Sequence, residues 1–283
     1  MRFGVTVDFN EQPVTSPEFL AGFAQAAEDY GFDTLWTSDH VVIPQGHNSD
    51  YPYAERMPYE EAPIPDPIVT LTFVAAKTKT LRLGTSVLVL PQRNPVVLAK
   101  QLASLDVYSE GRIDLGIGVG WLREEFEAIG VPWERRGKRT DECIEAMRAL
   151  WTEPVASYEG ELVRFSNVAC DPKPVQPGGV PFIIGGHSVA AARRAGKYGS
   201  GFFPHVFGRA WHELIAEARR TAEAHGRDPD EIEISAGVPP ELELAQRLGE
   251  LGVSRLNILI TDPDVPSARR TLERISRDLI ARM

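Results

Sequence analysis

Cysteine is nearly absent from this 283-residue chain, where Cys143 and Cys170 are the only two. Two thiols without metal-ligand spacing exclude a disulfide framework and point to a reducing cytoplasm. No apolar run approaches the roughly 20 residues that a membrane helix needs. Positive charge is in deficit, with 30 Lys and Arg against 40 Asp and Glu and a net charge of −10. That balance opposes loose binding to nucleic acid or to an anionic membrane. Neither a Gly-x-Ser-x-Gly elbow nor a P-loop occurs, so hydrolase and phosphoryl-transfer readings lack a nucleophile or a cradle. The opening Met1-Arg2-Phe3-Gly4 reaches Asp8 too soon for a signal peptide. With 43% hydrophobic and 25% charged residues, the expectation is a soluble globular enzyme acting on a small molecule.

Strand-like and helix-like segments alternate along the whole sequence. Strands are expected at Arg2 to Asp8, Thr34 to Thr37, Leu81 to Leu88, Arg112 to Gly118, Phe182 to Gly185, Gly201 to Phe203, Ile232 to Ala236 and Arg255 to Ile260. The first helix is capped by Ser16-Pro17-Glu18 and ends near Gly31. The others are expected at Asp66 to Thr78, Pro95 to Ser109, Lys138 to Trp151, Val189 to Tyr198, Arg209 to Ala224, Pro240 to Leu251 and Val265 to Ala281. Eight such units in one 1–283 domain form most naturally a (β/α)8 TIM barrel with insertion loops, ahead of a doubly wound sheet. Two segments break the repeat. Val41 to Pro65, with Tyr51, Tyr53 and Tyr59 among its prolines, follows strand two and is expected at the barrel mouth as a lid. Thr152 to Val180 carries a possible hairpin around Tyr158-Glu159-Gly160-Glu161 and follows a helix, which puts it away from that mouth.

Active sites of this fold lie just after the strands. Those positions hold Asp39-His40, Ser86-Val87, Gly118-Val119-Gly120-Trp121, Gly185-Gly186-His187-Ser188, Pro204-His205 and Thr261-Asp262. Asp39-His40 reads either as an acid/base pair or as a cap beside a hydrogen-bonded histidine. Gly185 to Ser188 opens a helix, so it suits a phosphate or merely makes a turn. Gly116-Ile117-Gly118-Val119-Gly120 fails as a dinucleotide fingerprint because Trp121 stands at the third glycine, and its small residues instead suit a flat ring lying on backbone. Trp36, Trp121 and Phe202 are candidates to stack on a cofactor or to pack the core. Metal binding by Asp39, His40 and His47 is disfavoured, since no second cluster has ligand spacing. Leu98, Leu102 and Leu105 face either the barrel or a partner.

Residues 31–36 (GFDTLW) with Asp39-His40, residues 81–88 (LRLGTSVL) with Arg93-Asn94-Pro95, residues 116–121 (GIGVGW), residues 136–142 (RGKRTDE) and Ile184-Gly185-Gly186 resemble the bacterial luciferase-like flavin and deazaflavin oxidoreductases. The likeness covers most of the chain and is greatest to actinobacterial enzymes using the deazaflavin coenzyme F420. It implies a (β/α)8 barrel with F420 across its mouth and hydride transfer to or from a small organic substrate. Asp39 and His40 then lie beside the reactive ring, with His40 passing a proton. Ser86 and Val87 form a bulge behind the ring with a non-prolyl cis peptide. Gly118, Val119 and Gly120 edge the ring, and Gly185, Gly186 and Ser188 surround the coenzyme phosphate. The acidic loop Thr261-Asp262-Pro263-Asp264 disfavours a sugar-phosphate substrate. Alternatives are an FMN-dependent monooxygenase served by a separate reductase, and a non-catalytic deazaflavin-binding protein. Relatives of this kind are often homodimers, which gives the expectation here.

Overall fold

A computed structural model of the chain describes residues 1–283 apart from 11, 53, 56, 59 and 205–207. Its strands are Arg2–Val7 (β1), Thr34–Thr37 (β2), Arg82–Thr85 (β3), Leu88–Val89 (β4), Ile113–Gly118 (β5), Ala156–Glu159 (β6), Arg164–Val168 (β7), Phe182–Gly185 (β8), Gly201–Phe203 (β9), Glu233–Gly237 (β10) and Arg255–Ile260 (β11). The helices are Pro17–Asp29 (α1), Pro67–Ala75 (α2), Pro95–Tyr108 (α3), Arg123–Ala128 (α4), Arg136–Thr152 (α5), Val189–Tyr198 (α6), Arg209–Ala224 (α7), Leu242–Glu250 (α8) and Val265–Asp278 (α9). Three helices start where a capping side chain precedes a proline: Ser16-Pro17, Asp66-Pro67 and Asn94-Pro95. The cap oxygen accepts otherwise orphaned amides, and proline presets the first helical φ without wasting a donor.

Parallel pairing runs β3-β2-β1-β11-β10-β9-β8-β5, and β5 pairs back to β3, so the sheet closes as an eight-position (β/α)8 TIM barrel. Val5 pairs with both Ile258 and Leu35, fixing the first and last units in register. Strand three is interrupted: the expected Leu81 to Leu88 run splits into β3 and β4, and β4 pairs only with β5. Val5, Leu35, Leu83, Leu115, Ile184 and Ile258 are buried within one apolar core. Trp36 and Phe202 are also buried, and a Cβ on Gly4 or Gly84 would collide with the Trp36 indole. These two aromatics belong to the core rather than to a cofactor. Leu98, Leu102 and Leu105 are likewise buried, so they face the barrel and not a partner.

The hairpin appears as antiparallel β6–β7. Its tip is drawn back along α5, because buried Glu142 accepts the amides of Leu162 and Val163 at 2.7 and 2.9 Å, while Glu161 pairs with Arg135 and Lys138. The second insertion therefore returns to the first turns of α5, on the mouth side of the barrel. Three short helical segments have no counterpart in the sequence expectations: α4, and 3-10 turns at Leu90–Gln92 and Pro229–Glu231.

The other end of the barrel is closed by charge. Arg255, only 1% exposed, lies 3.1 Å from both Asp114 and Glu233 and 3.2 Å from Asp33. A cavity of about 550 Å³ opens there, lined by Arg255, Asp114 and Glu233 with Arg2, Arg82 and Arg219. Every one of those cations has a carboxylate beside it, so the cavity is a self-neutralised plug at the end opposite to the chemistry. Among the described residues no helix is long and apolar enough to cross a membrane.

Candidate active site

At the mouth, the break in strand three presents backbone. The Ser86–Val87 peptide is cis, at the position expected for the ring-supporting bulge. Its flanks are held from β2: the Ser86 amide donates to Thr37 O at 2.7 Å, and the Ser38 hydroxyl donates to Ser86 O at 3.2 Å. The Val87 side chain turns toward β5 and β8, where a Cβ on either Gly118 or Gly185 would lie 2.6 Å from one of its methyls. A Cβ on Gly120 would meet Phe126 and Val89 at 2.7 and 2.8 Å. Gly118, Gly120 and Gly185 thus make room for side chains of the chain itself. What stays open is the adjoining backbone, for Ser86, Val87, Val119, Gly120, Gly185 and Gly186 are half-buried just after buried strand residues.

Asp39 and His40 leave β2 side by side but take different work. The Asp39 carboxylate is wholly enclosed, accepting the Val89 amide at 3.0 Å and Arg93 at 2.6 Å. Arg93 bridges onward to Asp66, the cap of α2, at 2.9 Å. Burial pushes the Asp39 carboxyl upward against the pull of Arg93 and the Val89 amide. Both oxygens are committed, so Asp39 pins the chain just beyond the bulge.

His40 Nδ1 lies 3.1 Å from Oε2 of Glu125, whose side chain is 2% exposed. The other oxygen of Glu125 accepts the Val41 amide at 2.6 Å. Burial works to raise the Glu125 carboxyl, but the bond and charge of His40 and the Val41 amide outweigh it, and the group sits below the ordinary carboxylate range. Glu125 was missed in the sequence because it sits on the six-residue α4, too short to show a helical pattern. Its cue was an acid seven positions beyond the strand end at Gly118.

The insertion after β2 runs over this mouth and is clasped by the same helix. Glu124 accepts the Asn48 amide at 2.8 Å and the Ser49 hydroxyl at 2.7 Å, and these bonds bring its carboxyl down to about 2. Trp121 stands beneath, with His40, His47 and Tyr51 meeting its indole edge-on at centroid distances of 6.0, 5.6 and 5.1 Å. Of the three aromatics considered for stacking, only Trp121 is at the mouth. Tyr53 and Tyr59 of the insertion, and His205 after β9, lie outside the described residues. His47 Nδ1 faces Ser49 O at 3.1 Å, and among the described residues no group of three or more His, Cys, Asp or Glu could hold a metal.

The edge shared by β5 and β8 leads into the start of α6. Ser188 caps α6, accepting the Ala191 amide at 3.2 Å, and the exposed first turn directs a helix dipole outward. The Gly186 amide is turned instead toward Phe203 O at 3.3 Å, so it serves the turn. The Arg136 guanidinium lies over the Trp133 ring, 3.6 Å from its centroid, and donates to Gly120 O at 3.3 Å. The mouth therefore combines a half-buried strip of backbone, one oriented histidine and a polar edge suited to a phosphate. That set can hold a flat ring with an anionic tail and move a proton beside it.

The luciferase-like monooxygenase family model matches residues 1–242. An uncharacterised protein of Mycobacterium tuberculosis (strain ATCC 25618 / H37Rv) is 31% identical over 291 residues, spanning 99% of each chain. An F420-dependent glucose-6-phosphate dehydrogenase of Kineococcus radiotolerans is 32% identical over 226 residues, covering 77% of this chain and 62% of that protein. Among solved structures, the coenzyme F420-dependent tetrahydromethanopterin reductase of Methanopyrus kandleri superposes with a TM-score of 0.79 at 17% identity, over 99% of both chains. With the closed barrel, its broken third strand and this match over most of its length, the chain belongs to the luciferase-like monooxygenase family.

Proposed function

We propose that this protein is a coenzyme F420-dependent oxidoreductase that moves a hydride between the deazaflavin and a small organic substrate. The observation that carries the reading is one oriented histidine, His40, packed against Trp121 at the same mouth that presents the half-buried backbone of Ser86, Val87 and Gly120. The name of the 32%-identical F420-dependent dehydrogenase supports the choice of coenzyme. The residues fit such a group: the strip can carry a flat ring, and Ser188, the α6 terminus and Arg136 can receive its phosphate. Bound there, F420 supplies a ring carbon that gives or accepts a hydride, two-electron chemistry that needs no oxygen.

The chain's own residues supply the rest. As hydride reaches a carbonyl carbon, His40 gives a proton from Nε2 to the oxygen, and in the reverse direction it takes that proton back. Asp39 and Arg93 hold Val89 and so keep the ring support in place. The insertion clasped by Glu124 covers the mouth and limits water. After β11, Asp262 accepts from Thr271 and Asp264 caps α9, leaving an acidic loop that favours substrates without a phosphate. In a panel of enones, ketones and imines with reduced F420, turnover is expected for at least one class. His40→Ala is expected to keep the fold and lower that turnover about 10²-fold or more. Unchanged turnover would remove His40 from the chemistry.

We also propose a homodimer in the cytoplasm. Val69 on α2 and Val97 and Tyr108 on α3 are 70%, 56% and 78% exposed, apolar side chains on neighbouring outer helices that a second copy would cover. Light scattering giving the 31.3 kDa of one chain would reject it.

A further inference from the structure

We infer that Glu125 is a positioning residue, fixing the tautomer and rotation of His40 so that Nε2 faces the mouth. This rests on the proton-transfer role proposed for His40 and extends it to a second side chain. His40 Nδ1 and Glu125 Oε2 are 3.1 Å apart, with side chains 11% and 2% exposed. An ionised carboxylate has no hydrogen to give, so the hydrogen between them is carried by Nδ1. In neutral imidazole the lone pair is then on Nε2, and protonation of the ring places the transferable proton at that same atom.

A plainer role is also present, because Glu125 staples the strap through the Val41 amide at 2.6 Å and the Val42 amide at 3.4 Å. The two functions use different oxygens, and one substitution separates them. In Glu125→Gln the remaining oxygen can still accept from Val41, so the staple survives. The new amide can only donate toward His40, so Nδ1 must become the acceptor and the hydrogen must move to Nε2. In Ser-His-Asp hydrolases the same exchange of the orienting carboxylate for its amide costs about 10⁴-fold through the wrong tautomer.

The test uses isotope-labelled histidine NMR on the whole chain, which reads the tautomer without cofactor or turnover, with the His40 signals assigned by His40→Gln. The expected results are an Nδ1–H tautomer at His40 in the wild type and an Nε2–H tautomer in Glu125→Gln. With reduced F420 and a substrate that turns over, Glu125→Gln is expected to lower kcat about 10²-fold or more. F420 affinity should stay within about threefold, and Glu125→Asp should recover part of kcat because its carboxylate still accepts from Nδ1. An Nε2–H tautomer in the wild type overturns the inference even if Glu125→Gln fails to fold. So does an unaltered tautomer or an unaltered kcat in a folded Glu125→Gln. A protein that shows the expected tautomers but no turnover with F420 defeats the proposed activity instead and leaves the positioning role standing.

Discussion

Val87 occupies the space that a side chain on Gly118 would need: a Cβ there would lie 2.6 Å from Val87 Cγ2. No carbon pair tolerates that approach, so Gly118→Ala is expected to cost about 1–3 kcal/mol by overpacking and to displace the ring-supporting bulge. Val87→Ala removes the obstructing methyls. In the double variant part of the loss should return, and a denaturation cycle would show coupling between the sites. A Gly118→Ala protein as stable as wild type would contradict the close approach.

The enclosed Asp39 carboxylate pairs with the partly exposed Arg93 at 2.6 Å. Arg93→Met leaves a buried carboxylate with only the Val89 amide, and breaking such a pair by deleting one partner costs about 3–5 kcal/mol. Urea denaturation should show that loss, together with weaker F420 binding because Val89 is no longer anchored. Wild-type stability in Arg93→Met would mean that the carboxylate finds another partner.

The strap carries a pH dependence with a definite sign. Glu124 is held at about 2 against an ordinary value of 4.5, so its clasp on Asn48 and Ser49 is intact above about pH 4.5 and is lost as pH falls toward 2. Hydrogen exchange of residues 41–52 should quicken over that window in the wild type. In Glu124→Gln, exchange there should be fast at neutral pH and insensitive to acid. Equal protection in both proteins at neutral pH would remove Glu124 from the clasp.

Arg255 tests the separation of the barrel's two ends. With Asp33, Asp114 and Glu233 all within 3.2 Å, Arg255→Met strands buried carboxylates and is expected to lower stability by about 3–5 kcal/mol. Because this plug is remote from the mouth, F420 affinity of the folded variant should stay within about twofold. A large loss of affinity would show that the plug reaches the site.

Much of this was legible in the residues. Alternating capped helices and short apolar strands give the barrel, since Ser16-Pro17, Asp66-Pro67 and Asn94-Pro95 mark three helix starts by local chemistry alone. His40 was accessible for the same reason, as a titratable group just past a strand. Glu125 was not, because its meaning depends on a fold-back that brings residues 85 positions apart together. The hairpin tip was misplaced for a related reason, since the pull of Glu142 on Leu162 and Val163 is a tertiary contact that overrides where the connection leaves its helix. The space opposite Gly118 is filled by Val87, and that opposite Gly120 by Phe126 and Val89. Nothing in a linear pattern says which side chain will lie opposite a glycine.

The central claim concerns the coenzyme, and it is tested most directly by titrating the purified protein with oxidised F420 and, separately, with FMN, following binding by fluorescence or calorimetry. Saturable F420 binding at micromolar or lower concentration, with FMN at least about tenfold weaker, is the expected result. Tight FMN binding with no measurable affinity for F420 would contradict it and favour the flavin monooxygenase reading instead.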